Sequence, residues 1–546
     1  MAYYDLGDYS RAITTNSPEA QKWFDRGLIW VFAYHHEEAI ECFRKALQAD
    51  PDCAMANWGI AYAIGPNYNK PWETFEEDEQ PDALETAWTA INGAQANSAK
   101  LTPFEQALID AIPLRYPESA DIEDFAPWND AYADAMRKVH KAHPNDLDAC
   151  CLFAEAIMNR TPWQLWDLPS GKPAEGANTL EAIEVLDTAF ATLDGAWDHP
   201  GLLHMYIHLM EMSPHPERAL RQGDQLATLV PDAGHLLHMP SHVDVLCGDY
   251  ENVVSRNHRA IIADRKYLED AGPENFYSVY RCHNYHFKIY GAMFLGQPTI
   301  ALETADELSA TLPDETLRPM ADWFEAFVGM KQHVLIRFGM WQEILDQDLP
   351  KDAELYSVTT ALMRYARTVA LANSGRLEEA DKEKAEFDAA FDAVPESRML
   401  FNNTCRDILK VGEQMMLGEL AYHKGDHEEA FDHLRRSIEL DDTLPYDEPW
   451  GWMQPTRHAL GALLLEQGHH EEAEAVYRAD LGLDATLSRA CQHPENVWSL
   501  HGLHECLTRR GEEVESAHIK LQLDKALARA EVEIKASCYC RQKVAA

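Results

Sequence analysis

AQKWFDRGLIWVFAYHHEEAIECFRKALQADPDC, residues 20–53, reads as two helices joined by a tight crossing at HHEEA and closed by Pro51. Trp23, Gly27, Phe43 and Ala46 stand at the spacing of a helix-turn-helix unit of about 34 residues. The crossing recurs as Gly375-RLEEA, Gly425-DHEEA and Gly468-HHEEA, and more loosely as Gly248-DYENV. One such pair cannot bury its apolar face alone, so successive pairs must stack. The hydroxyl–proline starts Ser17-Pro18 and Thr102-Pro103-Phe104-Glu105 fit helix N-termini, the second with a capping-box glutamate.

Working outward, the 546 residues are rich in Ala, Leu and Glu, and no alternating β-branched or aromatic run reads as a strand. Residues 161–178, TPWQLWDLPSGKPAEGAN, break the helical pattern with three prolines and two glycines. They are expected to form a long ordered loop or lid. GPNYNKP at 65–71 is a second break. Three regions follow from this reading: 1–120 with N-terminal repeats, 121–310 with a histidine-rich centre and the 161–178 loop, and 311–546 with C-terminal repeats.

Lys and Arg number 47 against 91 Asp and Glu, a net charge of −44. Nucleic acid and anionic lipid need clustered positive charge, so neither is an expected partner. No apolar run approaches membrane-spanning length and no targeting address is visible, so the expected compartment is the cytoplasm. The 11 cysteines form no paired CxxC set, and Cys538-x-Cys540 falls in a tail expected to be disordered.

Histidine is concentrated: His199, His204, His208, His215, His235, His238 and His242 put 7 of the chain's 25 in residues 199–242. His204-x-x-x-His208-x-x-Glu211 has chelating spacing, because side chains at i, i+4 and i+7 fall within an arc of about 60° on a helix. Pro240 interrupts the second group and predicts a kink there.

The 20–53 unit resembles the tetratricopeptide repeat. The blocks WGIAYAIGPNYNKP (58–71), AEAIMNRTPWQLW (154–166), HPGLLHMYIHLMEMSPHPERAL (199–220), AGHLLHMPSHVDVLCGDYENVVSRNHRAI (233–261) and CHNYHF (282–287) resemble a family of long tetratricopeptide-repeat proteins of bacteria and fungi. The resemblance implies an all-α fold, a right-handed α-solenoid of helix-turn-helix repeats with a concave groove lined by positions 2, 5, 9 and 12 of each first helix. With Val253 at position 20, His235, His238 and His242 fall at 2, 5 and 9. With Ala219, 34 residues earlier, His204, His208 and Glu211 fall at 5, 9 and 12. With Ala301, His283 and His286 fall at 2 and 5, and Tyr290 at 9. The family's histidine blocks map onto these same eight ligand-type residues. Glu155 and the Trp163/Trp166 loop belong to the shared core, and Val243-Asp244-Val245 departs from a more aromatic continuation.

Three stripes of imidazole facing one groove point to a transition-metal site of His204, His208, Glu211, His235, His238, His242, His283 and His286. Copper or iron is favoured and zinc is the alternative, because imidazole suits these ions and not magnesium or calcium. The expected function is a metal-dependent oxidase or oxygenase acting on a small organic substrate, with Trp58, Tyr62, Glu155, Trp163, Trp166, Tyr206 and Tyr290 around the pocket. A zinc-dependent hydrolase and a scaffold holding a peptide or protein partner in the groove are the alternatives. No HExxH, GxSxG or P-loop run supports a better-known hydrolase.

Overall fold

The computed structural model describes residues 3–76, 79–118, 122 and 124–541. The described residues are almost wholly α-helical, and many successive helices pack as pairs. Pairing between strands, among the described residues, is confined to Trp166–Asp167 with Lys172–Pro173, Met399–Leu400 with Asn403–Thr404, and a single bridge between Asn67 and Lys70. Two compact units contain the helices: Met1–Val243 with Ile262–Asp264, and Asp244–Ile261 with Arg265–Ala546.

In the first unit, Ser17 caps helix Pro18–Phe32, its hydroxyl accepting from the Ala20 amide at 3.2 Å. Helix His36–Ala49 packs back against it and carries Phe43 inward. That ring wedges between Gly27 and Gly59 of the flanking helices, where an added Cβ would lie 2.5 and 2.6 Å from it. The second unit repeats the device with Tyr477 between Gly461 and Gly502. A small residue opposite a large one lets helix axes approach, so the interface fills without voids. Its hairpins include Ser357–Asn373 with Leu377–Asp392, Cys405–Lys424 with His427–Asp442, and Thr456–Glu466 with His470–Asp480.

Three crossings of the second unit close alike. Gly375, Gly425 and Gly468 are left-handed at φ 74°, 93° and 82°. The amide after each reaches back five residues, Arg376 to the Leu371 carbonyl at 2.9 Å, Asp426 to Ala421 at 3.0 Å and His469 to Leu464 at 2.9 Å. This satisfies carbonyls that a helix end would otherwise leave open. In the first hairpin the His35 amide makes the same bond to the Trp30 carbonyl at 2.9 Å, but the left-handed residue is Tyr34, at φ 53°.

The expected capping box is present, with the Glu105 amide 3.3 Å from the Thr102 hydroxyl and the Thr102 amide 2.8 Å from Glu105 Oε2. Residues 161–178 form a short hairpin followed by turns, pinned where the Trp166 indole donates to the Leu209 carbonyl at 2.8 Å. Pro240 splits its segment into Gly234–His238 and Pro240–Leu246. The tail corrects the expectation of disorder: Tyr539–Arg541 is a 3-10 turn, and Ala536, Ser537 and Cys540 are buried. The physical reason is burial of small side chains and paired backbone groups, which composition near a terminus does not reveal.

Candidate metal centre

Helix Pro200–Glu211 starts on His199, whose Nδ1 accepts from the Leu202 amide at 3.1 Å while its Nε2 donates to Asp148 at 3.1 Å. His199 is thus occupied as a cap. His215 is exposed beside Glu217. The helix is buried along its whole length, so its polar side chains must find partners inside the first unit.

His204 Nδ1 donates to the carbonyl of Phe32 at 2.6 Å, one of the open carbonyls at the end of the first helix. His208 Nδ1 donates to Glu211 Oε1 at 2.9 Å, one turn on. The other oxygen, Oε2, accepts from His242 Nδ1 at 2.8 Å. One carboxylate therefore orients an imidazole from each of two segments. These bonds fix the neutral tautomers and leave Nε2 of His204, His208 and His242 with a lone pair.

Among the described residues, His204 Nε2 and His208 Nε2 are buried with no hydrogen-bond partner. Ring nitrogens of His204, His208 and His235 lie within 4.8 Å of one another, the spacing of ligands around one ion. His208, Glu211 and His242 form a second such group. His238 Nε2 lies 2.7 Å from His242 Nε2, so one proton sits between them. Burial pushes His204 down to about 3 and His208 well below the ordinary imidazole range. Both are neutral at physiological pH, the form that ligates.

Three aromatic rings close over this cluster. Tyr34 lies 4.7 Å from His204 and near-parallel to His208 and His235 at 5.8 Å each. Tyr68, at the tip of the 65–71 break, is 4.9 Å from His208, and Trp163 of the 161–178 segment meets His208 edge-on at 5.8 Å. Trp163 and Tyr68 touch each other at 5.1 Å.

Tyr62, Glu155 and Tyr206 have partners of their own within the first unit. Tyr62 donates to Glu155 Oε2 and stacks on Trp58 at 5.3 Å, with the Arg115 guanidinium 4.5 Å above its ring. Burial raises the Glu155 carboxyl, and its Oε1 is buried without a hydrogen-bond partner among the described residues. Tyr206 turns to the opposite face of its helix, against Phe190 at 5.5 Å, and donates to Asp187 at 2.8 Å. His283, His286 and Tyr290 belong to helix Ser278–Leu295 of the second unit. There His283 meets Phe401 at 4.6 Å, His286 lies parallel to Phe401 at 6.3 Å, and Tyr290 packs on Phe294 at 4.5 Å. Burial pushes His286 down to about 3.

Sequence reasoning missed Tyr34 and Tyr68. A signal for the first was available: Tyr34-HHEEA and Gly468-HHEEA share a turn, and only the first places a bulky residue where the backbone wants glycine.

Residues 35–53 and 414–443 match the tetratricopeptide-repeat family. No curated protein matches this repeat chain. Solved structures similar to it include the APC/C hetero-tetramer Cut9–Hcn1, 13% identical over 93% of this chain and 76% of that one, with a TM-score of 0.31. The human IFIT1 dimer with m7Gppp-AAAA is 10% identical over 94% and 92%, with a TM-score of 0.34. Neither likeness bears on ligand or activity. Among the described residues, no helix is long and apolar enough to cross a membrane.

Proposed function

We propose that the first unit binds a transition-metal ion through His204, His208 and His235, with His242 and His238 beside them, and that the protein is a metal-dependent enzyme acting on a small organic substrate. The observation carrying this reading is twofold: the Nε2 atoms of His204 and His208 are buried with no hydrogen-bond partner among the described residues, and ring nitrogens of these two and of His235 converge. An unsatisfied buried polar atom costs about 1–3 kcal/mol, and a shared ion removes that cost at both positions.

Glu211 serves as the orienting carboxylate, because each of its oxygens already accepts an imidazole N–H. That supports an imidazole-dominated site over one built on two histidines and a carboxylate, and among redox ions it favours copper over iron. Such an ion supplies reactivity toward dioxygen, so oxidase or oxygenase chemistry follows. Tyr34, Tyr68 and Trp163 exclude water and wall the substrate side. Zinc, lowering the pKa of its bound water for hydrolysis, is the alternative that the same three imidazoles accommodate.

The test is metal analysis of protein purified without added metal, followed by the same measurement on His208→Ala. The expected result is copper, iron or zinc at stoichiometric level in the wild type and its loss in the variant, with helix content retained. Absence of bound metal in the wild type sinks the enzyme reading and leaves a scaffold with a peptide in its groove.

A further inference from the structure

The 3-10 turn Tyr539–Arg541 is firmly moored in the second unit. Arg541 forks onto Glu505 at 2.7 and 2.8 Å, the Ser537 hydroxyl donates to the His458 carbonyl at 2.7 Å, and Arg337 donates to the Ser537 carbonyl at 3.2 Å. This mooring sets Cys538 and Cys540 beside Glu419, on helix Cys405–Lys424. The two sulfurs and a Glu419 oxygen lie within 4.8 Å of one another. The sulfurs are joined as a disulfide.

Glu419 is only 1% exposed. Its Oε2 accepts from Asn373 Nδ2 at 3.0 Å, while Oε1 has no hydrogen-bond partner among the described residues. A buried carboxylate with an open oxygen is costly unless a cation or proton satisfies it. The Cys540 amide points at Cys538 Sγ from 3.1 Å, a contact that favours a thiolate there once the bridge is open.

We propose that reduced Cys538 and Cys540 together with Glu419 form a second metal site, specific for a thiophilic divalent ion of the zinc class, which alternates with the disulfide. A dithiol reductant delivers two electrons and two protons to the S–S bond, is itself oxidised to a disulfide, and leaves two thiols. The incoming ion displaces both thiol protons to solvent and takes a lone pair from each sulfur and one from the carboxylate. Two thiolates and one oxygen suit zinc or cobalt and disfavour magnesium and calcium, which require oxygen ligands. Metal occupancy at this end of the chain therefore follows the thiol redox state.

The experiment uses the full-length protein, reduced with a thiol that is then removed under nitrogen, and titrated with cobalt(II). The expected result is a sulfur-to-cobalt charge-transfer band that saturates at one equivalent, is abolished by zinc, and is absent after diamide oxidation or in Cys538→Ser. The band should persist in His208→Ala, because the imidazole cluster of the first unit offers no sulfur, so the two sites fail or succeed separately. Glu419→Gln, isosteric and still able to meet Asn373, should keep the band and weaken cobalt binding by at least about 10-fold. Far-ultraviolet circular dichroism checks that each variant folds. No band in the reduced wild type, an undiminished band in Cys538→Ser, or unchanged affinity in Glu419→Gln overturns the proposal.

Discussion

At the scale of single residues, Glu211 distinguishes a ligand from a residue that positions ligands. Both of its oxygens accept imidazole N–H groups, from His208 one turn away and from His242 across 31 positions of sequence. Glu211→Gln leaves one acceptor and introduces a donor facing an N–H, so one of the two rings loses its orientation. The expected outcome is metal affinity weakened about 10- to 100-fold, with stoichiometry intact at saturating metal, measured by competition with a chelator. His208→Ala should instead abolish binding at any accessible metal concentration. Equal effects of the two substitutions would place Glu211 among the ligands.

At the scale of elements, the crossing turn and the 161–178 hairpin each make a prediction. Tyr34 occupies a left-handed position that Gly375, Gly425 and Gly468 take in other repeats. Its ring covers three imidazoles, a reason for tolerating strain at that point. Tyr34→Gly and Tyr34→Ala remove the same ring, but only alanine keeps the strained backbone. The glycine variant should therefore be the more stable by about 1 kcal/mol in chemical denaturation. Equal stability would mean the turn carries no strain. For the hairpin, Trp166→Phe removes the indole bond to the Leu209 carbonyl at a net cost of about 1 kcal/mol. Limited proteolysis should cut 161–178 faster in this variant, and slower when metal is bound, because Trp163 packs on His208.

At the scale of the whole molecule, burial holds many imidazoles neutral. His35, His36 and His204 in the first unit, and His286 and His333 in the second, are each pushed down to about 3 by desolvation. In the unfolded chain they titrate near 6.5. The folded values are depressed, so the stability these groups contribute is complete above about 6.5 and is lost as pH falls toward the folded values. Each subtracts up to about 1.4 kcal/mol per pH unit in that window. Glu419, raised to about 7 by burial, and Asp441 and Asp447, raised well above the usual carboxylate range, run the other way and offset part of this loss. The thermal midpoint of metal-free protein should fall steeply between pH about 7 and about 5.5, in enough salt to screen the net charge of −44. A flat midpoint over that range would contradict neutral burial of the histidines.

What was legible in the sequence is what repeats locally. The turn at HHEEA, the glycines after each first helix, the proline starts and the break at Pro240 are decided by backbone dihedrals and by spacing of apolar residues within one hairpin. His204, His208, His235 and His242 were legible as stripes because helical periodicity alone sets which side chains share a face. Tertiary structure decided their chemistry. Which nitrogen of His204 keeps its proton depends on the Phe32 carbonyl, 172 positions away, and Glu211 became an orienting group only because His242 arrives at its second oxygen. It also turned Tyr206 against Phe190 and seated the 534–541 tail beside Glu419. Such contacts join residues distant along the chain, and their energies depend on burial and hydrogen-bond geometry that exist only once the helices have packed.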